Sequence, residues 1–142
     1  MTKFLSTTLF SCMTLLFSPS TLADAVDTSK ALLCAPGNFS ECTSLGCNAV
    51  DSAEIRAPRF MKVDAKRKRI ENVQGGVNAV SKLDHIERID GKLMLQGVED
   101  GVENACDGIA YSIVITEDTG DMVLSAASEG VSFIAFGACT NY

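Results

Sequence analysis

Two tight turns in the last third of the chain, read separately, set the same strand register. Glu117-Asp118-Thr119-Gly120 fits a four-residue hairpin loop and pairs Ile115 with Met122, Ile113 with Leu124 and Tyr111 with Ala126. Glu129-Gly130 fits a two-residue turn and pairs Ala126 with Phe133 and Leu124 with Ala135. Both readings place Tyr111, Ile113, Ile115, Met122, Leu124, Ala126, Phe133, Ala135 and Gly137 on one face. A slip of one residue in either hairpin would turn a whole strand over, so the agreement identifies the inward face. The opposite face is mixed. Ser112, Thr116, Ser125 and Ser132 are small and polar, whereas Val114, Val123, Ile134 and Phe136 are apolar. We expect the N-terminal segment or another strand to cover those four; an exposed patch that docks a partner is the alternative.

A third turn extends the pattern upstream. Asp90-Gly91 lies between two alternating runs and sets Ile86 opposite Leu95, Arg88 opposite Leu93, Glu87 opposite Met94 and His85 opposite Gln96. The side carrying Ile86, Leu93 and Leu95 is the core candidate, and His85 falls on the other side. Further strands are expected over 59–63 and 69–73, joined near Asp64-Ala65-Lys66. Residues 26–35 suit a short helix or a strand, and 36–53 a loop or ribbon around Cys42 and Cys47. Seven or eight short strands with tight turns predict an all-β fold. The architecture is a small antiparallel barrel or sandwich, mostly a meander, with a disulfide-stapled N-terminal segment.

The N-terminus predicts an address. Lys3 precedes an apolar run from Phe4 to Phe17, and Ala23-Asp24-Ala25 forms an A-x-A cleavage site. Residues 1–25 therefore read as a signal peptide and 26–142 as a single β-rich domain, periplasmic or secreted. The run is too short for a transmembrane span. Neither Cys12 nor Cys34 follows the small residues of a lipid-attachment motif. Cleavage removes Lys3 and Asp24 together, so the net charge of −6 is unchanged. An acidic chain has no general attraction to nucleic acid.

Export makes the cysteines a framework. Cys42 and Cys47 flank the turn-like Thr43-Ser44-Leu45-Gly46, and a bond across it is sterically reasonable. Cys139 continues the inward alternation of Phe133, Ala135 and Gly137, which suits a bond to Cys34. Cys106 is then the odd, free thiol. No metal or other cofactor is expected: Cys42-x₄-Cys47 is a marginal zinc spacing and His85 is the lone histidine. His85 has no evident nucleophile or acid to complete a catalytic group and reads as a surface residue.

Charge is segregated along the chain. Arg56, Arg59, Lys62, Lys66, Arg67, Lys68 and Arg69 crowd together, while Glu99, Asp100, Glu103, Asp107, Glu117, Asp118 and Asp121 collect elsewhere. The basic cluster is a candidate patch for an anionic ligand or acidic protein; its plain reading is a solvated hairpin that discourages edge pairing.

The mature chain resembles a group of small exported bacterial proteins of unknown function. The residues that carry this are Leu32-Leu33-Cys34-Ala35, Glu41-Cys42 with Gly46-Cys47, Pro58-Arg59-Phe60, Leu95-Gln96-Gly97 and the closing Phe136-Gly137-Ala138-Cys139-Thr140. The resemblance implies export and a four-cysteine framework, and it brings no activity. This chain departs from the group in having Tyr111 where Trp is expected and in the additional Cys106. The functional expectation is an exported noncatalytic binding or inhibitor-like protein. The alternative is a thiol-dependent enzyme or redox protein using Cys106, although the acidic neighbours Glu103 and Asp107 would raise rather than lower a thiol pKa.

Overall fold

The computed structural model describes residues 25–73, 80–99 and 108–142, and within them the chain is all-β, without helices. The strands are β1 (Leu32–Thr43), β2 (Gly46–Val50), β3 (Met61–Asp64), β4 (Arg69–Asn72), β5 (Val80–Lys82), β6 (His85–Ile89), β7 (Lys92–Glu99), β8 (Ile109–Thr116), β9 (Asp121–Ser128) and β10 (Val131–Asn141). All pairings are antiparallel, and the sheet runs β5-β4-β3-β1-β10-β9-β8-β7-β6, with β2 attached to β1 off this path.

The sheet curls into a half-barrel, and chain continuity brings its two ends together. β5 and β6 are the terminal strands of the path, yet only Leu83 and Asp84 separate them in sequence. The partner changes between those two residues. The Leu83 N–H donates to the Lys68 carbonyl on one side, and the Asp84 N–H donates to the Gln96 carbonyl on the other. At this seam a side chain supplements the backbone: the Tyr111 hydroxyl donates to the Lys82 carbonyl at 2.6 Å. Gly97 lies beneath that bond, and a Cβ there would overlap both the Lys82 oxygen and the Tyr111 hydroxyl. Glycine is required here by close approach.

The three turn-derived registers hold throughout. β6 pairs with β7, β8 with β9 and β9 with β10 at the residues expected. The inward row supplies the core: Leu93, Leu95, Ile113, Ile115, Met122 and Ala135 are buried, with Leu124, Tyr111 and Ile86 packed against them or partly buried. Leu32, Cys34, Met61, Val63, Ile70 and Leu83 complete it from the other wall.

The structure narrows the expectation for the N-terminal half at three points. Residues 26–31 form a turn, and the strand alternative holds from Leu32, where β1 begins. Residues 36–43 take the ribbon alternative: β1 continues for twelve residues through Pro36 and pairs with β2. That proline pairs with Gly137 on one side, and on the other it falls between the stretch paired to β3 and the stretch paired to β2. A residue without an N–H is tolerated where one side of a strand lacks a partner. Next to it Asn38, at φ 47°, forms a bulge that shifts the β1–β10 register. Finally, the described residues form ten strands, because the partner switch separates β5 from β6 and the Cys42–Cys47 ribbon contributes β2.

The expected cover over the outer face is only partial among the described residues: Val123 is 40% and Phe136 53% exposed, whereas Val114 and Ile134 are partly buried. The N-terminal segment goes instead to the end of the barrel.

Candidate binding site at the open end of the barrel

The two ends of the barrel are closed differently. At the end where β1 begins, the segment after Ala25 acts as a plug. Val26 and Thr28 are buried, at 6% and 5% exposure. The Val26 N–H donates to the Glu117 carbonyl at 2.8 Å. The Thr28 hydroxyl donates to the Glu117 carboxylate and accepts from Arg88 Nε at 2.9 Å, while Arg88 Nη2 donates to the Thr28 carbonyl at 2.6 Å. The buried Thr28 hydroxyl and carbonyl are therefore satisfied by half-exposed charged neighbours. Arg88 shares a strand face with Ile86, so its side of the strand is legible in the hairpin register, but its partner is not. The C-terminus reinforces the plug: the Asp27 N–H donates to Asn141 Oδ1, and the Tyr142 N–H to the Ala31 carbonyl.

Among the described residues, the opposite end holds a half-open cavity of about 320 Å³. Its walls are the upper residues of the inward faces: Phe39, Ile113, Leu124, Ala126 and Phe133, with Met61 and Ile70 across from them. The loop between β2 and β3 forms one side, contributing Ile55, Arg56, Ala57 and Pro58. That loop is shaped by its own hydrogen bonds, Ile55 N–H to the Asp51 carbonyl and Ala57 N–H to the Ser52 carbonyl, with Arg56 held at φ 53°. The polar lining is sparse: Arg56, Ser81, Glu99 and the Tyr111 hydroxyl, which is committed to Lys82. Burial, with the negative charges of Glu99 and Asp84 adding to it, pushes the Tyr111 phenol up to about 12. It therefore stays a neutral donor across the ordinary pH range. An apolar concavity with a few polar groups at its margin is the usual form of a small-molecule site, and this volume lies at the small end of that class.

The disulfides are Cys34–Cys139 and Cys42–Cys47. Both join residues directly opposite each other in neighbouring strands. Cys106 lies outside the described residues, as do Glu103 and Asp107. His85 is on the surface, with Nε2 3.2 Å from a Glu87 carboxylate oxygen. Lys66, Arg67 and Lys68 occupy the β3–β4 turn, whereas Arg56 and Arg59 precede β3. Between them several charges are already matched: Arg67 lies 3.7 Å from Asp64, Arg69 2.8 Å from Glu71, and Lys62 sits over the Tyr142 ring. Only Arg56 of the seven lines the cavity.

Sequence reasoning found the inward strand faces but missed the cavity they enclose. No change in side-chain size along that face signalled it: Tyr111 and Phe133 stand at the same level as Gly97 and Ala126. No protein-family model matches the chain, and no curated protein matches it in sequence. No described helix is long and apolar enough to cross a membrane.

Proposed function

We propose that this is an exported, noncatalytic binding protein that takes a small, mainly apolar ligand into the open end of its barrel. The observation that carries this reading is the asymmetry of the interior. Among the described residues, the same inward faces form a buried core plugged at one end and line a half-open, mainly apolar pocket of about 320 Å³ at the other. An anionic group on the ligand would meet Arg56 at the margin, which preserves one part of the basic-cluster expectation. Placement in the periplasm or outside the cell is supported by two disulfides and by the signal-like N-terminus, in keeping with the resemblance to small exported bacterial proteins.

The test uses the neutral fluorophore N-phenyl-1-naphthylamine with the oxidised protein. Saturable binding with a blue-shifted emission is expected. Ala126→Trp places a large ring in the cavity and should abolish that binding while leaving the denaturation midpoint close to the parent value. Absence of binding by the parent protein, or equal binding by the folded variant, would overturn the proposal.

A further inference from the structure

Among the described residues that line the half-open cavity, Arg56 is the one cation and Glu99 the one anion. No ion pair joins them, and among the described residues no carboxylate lies within ion-pair distance of Arg56. Arg67, Arg69 and Arg88, by contrast, lie beside Asp64, Glu71 and Glu117. The backbone at Arg56 is also unusual. Residues 52–57 close a single turn in the way a helix C-terminus closes: the Arg56 N–H donates to the Ala53 carbonyl at 3.4 Å, and the Ala57 N–H to the Ser52 carbonyl at 2.9 Å. The residue at that position takes a left-handed conformation, which glycine adopts without strain, and Arg56 takes it at φ 53°. The chain therefore accepts strain at the one basic residue on the cavity wall. Ile55, Ala57 and Pro58 line the cavity from the same turn, and Arg56 itself is exposed. Its guanidinium stands where an apolar wall meets solvent.

We propose that the open end takes an amphiphilic monocarboxylate, with its carboxylate on Arg56 and its hydrocarbon tail in the cavity. It rests on the reading of that end as a ligand site and names the class of ligand. A guanidinium presents a planar fork of donors that a carboxylate matches, and the pair is stronger beside an apolar wall than in bulk water. Glu99 limits the charge the site accepts. It shares the lining, and its repulsion disfavours a head group with two negative charges. The volume, at the small end of ligand pockets, suits one short tail. Binding takes the tail and the apolar wall out of water together and gives the unpaired cation a partner.

Calorimetric titration with octanoate, octanol and octyl phosphate tests this, with N-phenyl-1-naphthylamine binding measured on the same oxidised protein. Octanoate should bind about tenfold more tightly than octanol or octyl phosphate. Arg56→Gly removes the guanidinium and relieves the left-handed residue. It should lower octanoate affinity about tenfold, to that of octanol, with a denaturation midpoint no lower than the parent's. Arg59→Gln, outside the cavity lining, should leave octanoate affinity unchanged. The proposal is overturned by octanol binding as tightly as octanoate, by octyl phosphate binding more tightly, or by a folded Arg56→Gly variant that keeps the parent's octanoate affinity. An equal loss in Arg59→Gln would assign the effect to general surface charge and overturn it too. Dye binding without octanoate binding would overturn the carboxylate assignment and leave the apolar site standing; absence of both would remove the site itself.

Discussion

At its closed end the barrel satisfies every demand of a packed interior. Val26 and Thr28 seal it, Arg88 and Glu117 accommodate the polar atoms that sealing buries, and Cys34–Cys139 ties the first strand to the last. At the open end the same strands continue, but their inward side chains line a half-open pocket, the covering loop comes from outside the meander, and the Cys42–Cys47 bond staples a ribbon rather than the core. The difference teaches that one continuous sheet can divide its work. Stability is concentrated where side chains interdigitate, and a site is left where they stop doing so.

The largest contrast should come from the disulfides. Cys34 and Cys139 are 105 residues apart, and Cys42 and Cys47 only 5. In the chain-entropy model, removing the first with paired Ala substitutions costs about 4–5 kcal/mol, and removing the second about 2 kcal/mol or less. Urea titration of the two double variants checks this. Similar losses would mean that the open-end ribbon is as integral to the fold as the closed end.

Leucine truncation probes the same division on adjoining levels of the inward face. Leu93→Ala, in the packed half, should cost about 3–5 kcal/mol, whereas Leu124→Ala, beside a pre-existing cavity, should cost about 2 kcal/mol. The second variant should also admit a bulkier fluorophore than the parent does. Equal losses in denaturant midpoint, with no gain in capacity, would show that the cavity collapses in solution.

Two glycines at the same φ of 73° separate strain from packing. Around Gly130, in the open-end turn, a Cβ meets nothing within 4 Å, so Gly130→Ala should show only backbone strain, about 1 kcal/mol. Around Gly120 a Cβ would collide with the Cys139 carbonyl, a backbone group that cannot rotate aside, so Gly120→Ala should cost about 2–3 kcal/mol. Thermal denaturation of both variants gives the comparison directly.

The smallest effect is alkaline. Tyr111 titrates near 12 in the folded protein and near 10 when unfolded, so between those values the unfolded chain has lost more of its proton. Stability attributable to the phenol is therefore constant below about pH 10 and falls as pH rises towards about 12. Tyr111→Phe should flatten that decline in the denaturant midpoint between those limits, at the expense of a lower midpoint at neutral pH from loss of the bond to Lys82. An undiminished decline in the variant would remove the seam as its source.

Much of this was legible because turn chemistry and period-two alternation act locally. Glu117–Gly120, Asp90-Gly91 and Glu129-Gly130 each dictate which residue faces which, and inward residues followed from agreement between neighbours. The pairing of Cys139 with Cys34 followed from the same alternation, because it placed one sulfur on the core side. The failures share a cause as well. The extent of β1 through Pro36 depended on which neighbours flank it at each level, and the division of β5 from β6 on a change of partner at Leu83–Asp84. Neither is a property of a segment taken alone.

The sequence by itself determined the β class, the register of the C-terminal meander, the core-facing set and the cysteines in bonding position, since each rests on steric rules spanning a few residues. Only the tertiary structure decided that the sheet curls until its ends meet, that Val26–Lys30 plugs one mouth, and that a cavity is left at the other. Curvature, closure and empty space arise from the summed twist of many strands and from side-chain volumes meeting across the barrel, quantities that no local pattern encodes.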